Sequence, residues 1–329
     1  MLANFFRMIL ILSNREDTSS DLVEERFLKN RKQYYRIDAE DIIENNFLID
    51  FDGNKIQTNK FLINIDDVNV IWLRKFGFLK KFDFYKENEK KYKPFIINQL
   101  IDEHYEIMAT IISLFINKRW ITHPHTLTLS KFTILLEARK SGLVIPNSYI
   151  TGNKKHVVDL LNHHGQLISK SIFEALFFNK GDYSYSMFTK QITKEDISEL
   201  PHNFFPSLVQ NRIKKKYEIR SFLLDNKLYS MAIFSQNDNL TDEDFRTLNT
   251  DKPIRFIPYQ LPKKIESKIL SLCEKLNLNC CSVDIIKSIK NEYVFLEVNP
   301  VGEFGMVSFP CNYNLHFEIY KTLLKYDEN

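Results

Sequence analysis

Between Cys281 and Pro300 the chain reads C-S-V-D-I-I-K-S-I-K-N-E-Y-V-F-L-E-V-N-P, the stretch that most narrows the fold. Two runs of alternating polar and β-branched or aromatic residues predict two strands, with Lys290-Asn291 as an acceptable two-residue turn between them. With that turn, Ile289 pairs with Glu292, and counting outward places Asp284 opposite Glu297. Two carboxylates then face each other with Cβ atoms about 4.5–5.5 Å apart, which is destabilising unless positive charge sits between them. Asn299 lies two residues beyond Glu297 and therefore on the same face. Two carboxylates and an amide carbonyl make an all-oxygen set, suited to Mg²⁺, or to Mn²⁺ as the alternative ion, and not to zinc. A hairpin with a merely polar solvent face is the plain alternative, and pattern alone leaves the two readings level.

The chain has 329 residues, enough for two or three domains, and 44% hydrophobic with 26% charged residues is ordinary for a globular protein. A net charge of +3 makes no demand for nucleic acid or a membrane surface. The cysteines (273, 280, 281 and 311) form no C-x-x-C pair, which favours a reducing cytoplasm over a disulfide framework or a zinc site. Met8–Ser13 reads as a buried first strand and not as a signal peptide: the apolar run is short, Arg7 interrupts it, and no small-residue cleavage site follows. Met8 is itself a candidate start codon. No run is long enough to span a bilayer.

The order of elements predicts mixed architecture: an open parallel α/β domain over 1–120, a small α+β domain over 121–206, and an antiparallel α+β domain over 207–329. The first strand, a helix over 22–30, and strands at 34–38 and 68–74 make the β-α-β opening of a parallel sheet. The Phe- and Asp-rich stretch 47–66 reads as an antiparallel side hairpin. A long amphipathic helix covers 94–118, and Trp120–Pro124 breaks it. A second helix starts near Thr128 or Ser130 and stops at Gly142. Strands follow at 149–150, 167–170 and 183–192, with a helix over 154–163. After these come strands at 207–210, 219–224 and 227–235, a helix over 263–276, and the hairpin.

Several residues could carry chemistry. Lys170 ends an apolar strand, where an unpartnered cation needs a reason. At Gln210-Asn211-Arg212-Ile213 a strand edge could take an adenine through its backbone, and Glu218 is an acid placed for a ribose. Arg220 is open to a phosphate or to a structural carboxylate partner. His123 and His125 flank Pro124 and read as turn residues; Arg74, at a strand end beside Trp72, is weighed between substrate contact and the commoner structural ion pair.

Taken in order, Lys131, Lys170, the 210–213 hinge, Glu218-Ile219-Arg220, Asp284 and Glu297-x-Asn299-Pro300 resemble the ATP-grasp superfamily over nearly the whole chain. The segments 17–21, 71–75, 120–124, 244–246, 255–259 and above all Asn299–Ser308 resemble the grasp-with-spasm peptide maturases, relatives of the microviridin ring-forming ligases. The resemblance implies an ATP-grasp fold with a pre-ATP-grasp domain, and an enzyme that uses ATP and Mg²⁺ to activate Asp or Glu side chains of a ribosomally made precursor peptide. Attack by Thr, Ser or Lys then closes ω-ester or ω-amide rings. It further implies that Lys131 and Lys170 contact the nucleotide phosphates, that Gln210, Asn211 and Ile213 cup adenine, and that Glu218 serves the ribose side. Asp284, Glu297 and Asn299 would hold the metal, with Arg220 and Arg246 neutralising the γ-phosphate or acyl phosphate.

The stretch Ser171–Gly181 departs from the glycine-rich phosphate loop of many relatives, holding one glycine, so a longer hairpin is expected to cover the phosphates. In related ring-forming enzymes that hairpin helps dock the leader peptide, which would give Tyr183, Tyr185 and Phe188 a role; a packed aromatic hairpin explains them equally well. Homodimers and a co-encoded maturation protein also go with the resemblance. Two rivals stand beside it: a ligase that adds a free amino acid, and a nucleotide-binding module without catalysis.

Overall fold

A computed structural model describes residues 7–44, 46–77, 83–88, 91–173, 177–180, 183–186, 189–235 and 254–328. It divides into two compact units. One comprises 1–128, 277–281 and 300–329; the other comprises 129–276 and 282–299.

The first unit opens with β1 (Met8–Ser13), α1 (Thr18–Lys29), β2 (Tyr35–Asp38), and the three short strands β3 (Leu48–Asp50), β4 (Lys55–Gln57) and β5 (Leu62–Asn64). It continues with β6 (Val68–Leu73), α2 (Asp83–Asn88), α3 (Pro94–Leu114) and β7 (Arg119–Ile121). The main sheet is all parallel in the order β2-β1-β6-β7. Its central strands are continuous apolar runs, because a parallel sheet is covered on both faces; every residue of β1 is buried. The side element is a three-stranded antiparallel sheet, one strand more than the sequence suggests. Ile49, Ile56 and Ile63 align across it, and the last two are fully buried.

The second unit begins with α4 (Lys131–Lys140), capped by Ser130, whose hydroxyl accepts from the Thr133 N–H. Next come β8 (Ser148–Asn153), α5 (Lys154–His164), β9 (Leu167–Lys170), β10 (Phe177–Lys180), β11 (Tyr183–Ser186), β12 (Lys190–Gln191), α6 (Lys194–Glu199) and β13 (Asn203–Asn211). They build a hairpin, β10-β11, and a four-stranded sheet in the order β12-β9-β13-β8. Then β14 (Lys215–Leu224), β15 (Lys227–Phe234), β16 (Arg255–Tyr259), α7 (Lys263–Lys275), β17 (Cys280–Ser288) and β18 (Tyr293–Asn299) follow, and their sheet runs β16-β15-β14-β17-β18.

The last two helices, α8 (Gly305–Cys311) and α9 (Leu315–Glu328), return to the first unit. There α9 packs on α1 through Phe27 and Tyr320, edge to face at 4.9 Å. Among the described residues no helix is long and apolar enough to cross a membrane.

The β17–β18 hairpin pairs Asp284 with Glu297 and Ser282 with Asn299, as expected, but by a different route. The turn holds three residues, not two: the Ser288 N–H donates to the Glu292 carbonyl at 2.9 Å, and Asn291 takes a left-handed φ of 65°. A turn of this kind shifts the register by one, so Ile285 faces Phe295; a bulge between Asp284 and Ile285 then restores it.

Candidate active site

Alternation along neighbouring strands of the five-stranded sheet gathers the charged residues on one face. β14 contributes Glu218 and Arg220, β17 Ser282 and Asp284, and β18 Glu297 and Asn299. The intervening Ile219 and Val283 are fully buried on the reverse.

The facing carboxylates each have a cation. Arg220 Nη1 lies 3.4 Å from Asp284 Oδ2, and Lys170 Nζ, at the end of β9, lies 3.6 Å from Glu297 Oε2. These cations supply the positive charge that the opposed pair requires. Lys131, at the first turn of α4, donates to the carbonyls of Phe173 at 2.7 Å and Ser171 at 3.2 Å, in the segment that leaves Lys170. That segment leads into the β10-β11 hairpin, in the place where a glycine-rich loop was missing from the sequence.

The donor set suits a hard divalent cation. All its atoms are oxygens, and Mg²⁺ commonly takes one or two carboxylates and completes its shell with phosphate oxygens and water. Among the described residues no group of three or more His, Cys, Asp or Glu could hold a metal, so Asn299 and a nucleotide would have to complete the shell. Two buried polar atoms at this face, Arg220 Nε and Ser282 Oγ, have no hydrogen-bond partner among the described residues. Buried polar groups are rarely left so, and an anionic, hydrated ligand would satisfy them.

Other expected residues have partners of their own. Glu218 accepts from Lys215 and, at 3.3 Å, from Ser235 Oγ, two neighbours the sequence reading did not single out. Gln210 and Asn211 are not on a sheet edge: β13 is an inner strand, flanked by β9 and β8. The Gln210 side-chain amide donates to Ser148 Oγ at 2.7 Å, and Asn211 Oδ1 accepts from the Asn147 N–H at 2.7 Å. The part of this hinge outside the sheet is Arg212–Lys214, which includes Ile213.

Arg246 and Phe188 lie outside the described residues. Tyr183 and Tyr185 fall on β11. His123 and His125 lie at a short 3₁₀ turn, where Thr126 N–H donates to the His123 carbonyl at 3.0 Å. A separate cavity of about 370 Å³ opens on the four-stranded sheet, floored by Val157, Ile192, Phe204 and Val209 and edged by Glu199 and the Lys190–Asp196 pair, 2.9 Å apart.

Lys170 on the smaller sheet, Lys131 on α4 and a carboxylate-bearing hairpin on the larger sheet define a nucleotide-dependent ligase fold of the ATP-grasp type. Residues 130–323, more than half of the chain, match the RimK-like ATP-grasp domain model, and the chain belongs to that family. A comparison with curated proteins gives no significant match.

Among solved structures, the macrocyclase MdnC from Microcystis aeruginosa MRC, bound with precursor peptide MdnA, superposes with a TM-score of 0.79 at 23% identity, over 97% of this chain and 99% of that one. A RiPP-associated ATP-grasp ligase from Chryseobacterium gregarium, in complex with ADP and a leader and core peptide, gives 0.78 at 22% identity, over 96% and 95%. The ATP-grasp ligase PsnB, complexed with a phosphomimetic variant of its minimal precursor, Mg and ADP, gives 0.73 at 14% identity, over 97% and 98%.

Proposed function

We propose that this protein is an ATP-dependent ligase that activates Asp or Glu side chains of a ribosomally made precursor peptide and closes ω-ester or ω-amide rings. The observation that carries the reading is the single face on which Arg220, Asp284, Glu297 and Asn299 meet Lys170. The peptide-bound state of the similar macrocyclase MdnC and of the similar RiPP-associated ATP-grasp ligase supports the substrate class. In this reading the central grasp subdomain covers 121–206 and the C-terminal one 207–329, after a pre-ATP-grasp domain over 1–120.

Joining a carboxylate to a hydroxyl or amine in water needs a better leaving group, which the γ-phosphoryl of ATP supplies as an acyl phosphate. That transfer depends on charge neutralisation and alignment more than on covalent help. Asp284, Glu297 and Asn299 would hold Mg²⁺, or Mn²⁺ in its place, and the bound ion would neutralise phosphate charge. Lys170 and Arg220, paired here with the two carboxylates, would turn to phosphate oxygens. Lys131 tethers the segment leading into the β10-β11 hairpin, whose position suits a cover that limits hydrolysis of the acyl phosphate. Within the 210–213 hinge, Ile213 lies outside the sheet, where its backbone suits an adenine, with Glu218 on the ribose or adenine side. Arg246 is proposed for the γ-phosphate from the family resemblance.

The apolar floor of the 370 Å³ cavity suits a leader segment with apolar residues. A cytoplasmic location, a homodimer and a co-encoded maturation protein belong to the same proposal.

The test is the intact mass of a precursor peptide from the same gene neighbourhood after incubation with ATP and Mg²⁺. Loss of one or more whole waters is the expected result. A gain equal to an added amino acid, in a reaction supplied with free amino acids, would replace this reading with the adding ligase. No change of mass in either format would leave a nucleotide-binding module.

A further inference from the structure

In the second unit the chain enters β14 through Lys214-Lys215-Lys216, and alternation sends the middle lysine one way and its neighbours the other. Lys215 turns inward: its Nζ donates to Glu218 Oε1 at 2.5 Å, and both side chains are largely buried. Lys214 and Lys216 are exposed. The Lys214 carbonyl accepts from the Ile289 N–H at 2.9 Å, so the turn between β17 and β18 lies against this segment and brings Lys287 and Lys290 with it.

Two of these cations meet at one residue. Asn291 Oδ1 accepts from Lys216 Nζ at 2.7 Å, and the Asn291 carbonyl accepts from Lys287 Nζ at 2.5 Å. Asn291 is neutral, so neither charge is cancelled there. Lys287 also lies over the Tyr293 ring, 3.8 Å from its centroid. Among the described residues, none of Lys214, Lys216, Lys287 and Lys290 pairs with a carboxylate. With Lys215 and Glu218 cancelling, these four lysines against Glu292 leave a local charge of +3, which equals the formal charge of the whole chain. The rest of the molecule is therefore balanced, and the excess sits on this surface. Like charges gathered on one turn repel unless opposite charge arrives from outside. Ile289, 52% exposed, lies among them as an apolar contact point.

We infer that this turn and the entry to β14 form a docking surface for an acidic peptide segment, whose carboxylates meet the four lysines and whose apolar side chain covers Ile289. A peptide fits better than a nucleic acid, because an aliphatic centre gives bases no ring to stack on. The surface is distinct from the metal face: Lys216 and Arg220 are four residues apart on β14, about 14 Å, with Glu218 between them. The segment held here therefore lies outside the residues that form rings. Its assignment to the precursor peptide rests on the ligase reading, whereas the charge pattern does not.

The experiment uses the full chain, in EDTA and without nucleotide, and a fluorescein-labelled peptide in which Glu alternates with Leu. Binding is read by fluorescence anisotropy at low and high NaCl, and the same peptide with Gln for Glu is the charge control. The parent is expected to bind the Glu peptide about 10-fold or more tighter than the Gln peptide at low salt, with most of the difference lost at high salt. Lys216→Glu combined with Lys290→Glu exchanges two attractions for two repulsions. It is expected to weaken the Glu peptide by about 10-fold or more and leave the Gln peptide unchanged. Should the double variant not fold, Lys290→Glu alone, exposed in the turn, decides by the same comparison. Equal binding of the two peptides by the parent would overturn the inference, as would a folded variant that binds the Glu peptide as the parent does. Displacement of the peptide by a tighter-binding single-stranded RNA would also overturn it and make the surface one for nucleic acid.

Water loss from the precursor is followed in parallel, where the double variant is expected to raise the precursor KM by about 10-fold with kcat held. Ring closure with an unchanged KM would overturn the precursor as the occupant. If the parent removes no water yet keeps its charge-dependent binding, the ligase reading has failed, and the surface stands for another acidic partner.

Discussion

Replacing Glu297 by Gln tests whether the opposed carboxylates serve chemistry or stability, because the two roles predict opposite things. As a metal ligand, Glu297 would hold the cation that neutralises phosphate charge in the transition state. Removing one such group typically costs about 3–4 kcal/mol, or roughly 10²–10³ in rate. For the fold alone the balance is small. The Lys170–Glu297 pair, at 3.6 Å with the glutamate side chain 35% exposed, is worth about 0–1 kcal/mol. Against that, Gln relieves repulsion from Asp284 directly opposite, about 0.2–1 kcal/mol. These terms cancel to within about 1 kcal/mol, a melting shift of about 2–4 °C for a unit of this size. The assay pairs the rate of water loss from the precursor, by mass spectrometry, with a thermal melt in EDTA. A melting temperature lowered by about 10 °C together with lost activity would mark Glu297 as structural and refute the reasoning, as would activity within a few-fold of the parent.

His104 is 2% exposed and held as a neutral ring, with Tyr85 Oη at 2.8 Å from Nδ1 and the Ala39 carbonyl at 2.8 Å from Nε2. Burial lowers its pKa from the usual 6.5, and the Ala39 bond only partly opposes this. The unfolded chain therefore takes up the proton first, and the stability due to neutral His104 is full above about pH 6.5 and is lost as pH falls towards the lowered value. Melting temperatures from pH 7.5 to 5.5 should fall more steeply for the parent than for His104→Gln; parallel slopes would remove His104 from the account. Phe27→Ala should cost about 3–5 kcal/mol in denaturant unfolding, since the fully buried ring joins α1 to Tyr320 on α9. A loss below about 1 kcal/mol would mean that α9 does not depend on this contact.

What local sequence determines here is facing and order. Strand alternation has a period of two, so Glu297 and Asn299 share a face whatever their partners do, and the pattern from 281 to 300 announced two strands with carboxylates on one side. Even so, the pairing of Asp284 with Glu297 was reached through a two-residue turn, whereas a three-residue turn and a bulge produce it. Either choice satisfies the same alternation, and only hydrogen bonding across the strands separates them.

Partners distant in sequence were decided by tertiary structure alone. Lys170 meets Glu297 because β9 and β18 converge in space, and no spacing in the chain records that. Gln210 lies on an inner strand because β8 and β9 flank β13 on both sides, which the apolar pattern of 207–211 cannot distinguish from an edge. The final helices join the first unit because Phe27 needs the aromatic cover that Tyr320 supplies. Arg74 and Asp17 were visible as charges in sequence, but their burial and their grip on the turn after Asn299 exist only once β1, β6 and residues 300–303 are brought together. Periodicity is a property of the backbone and can be read along the chain; the neutralisation of a buried charge depends on which other segment arrives beside it.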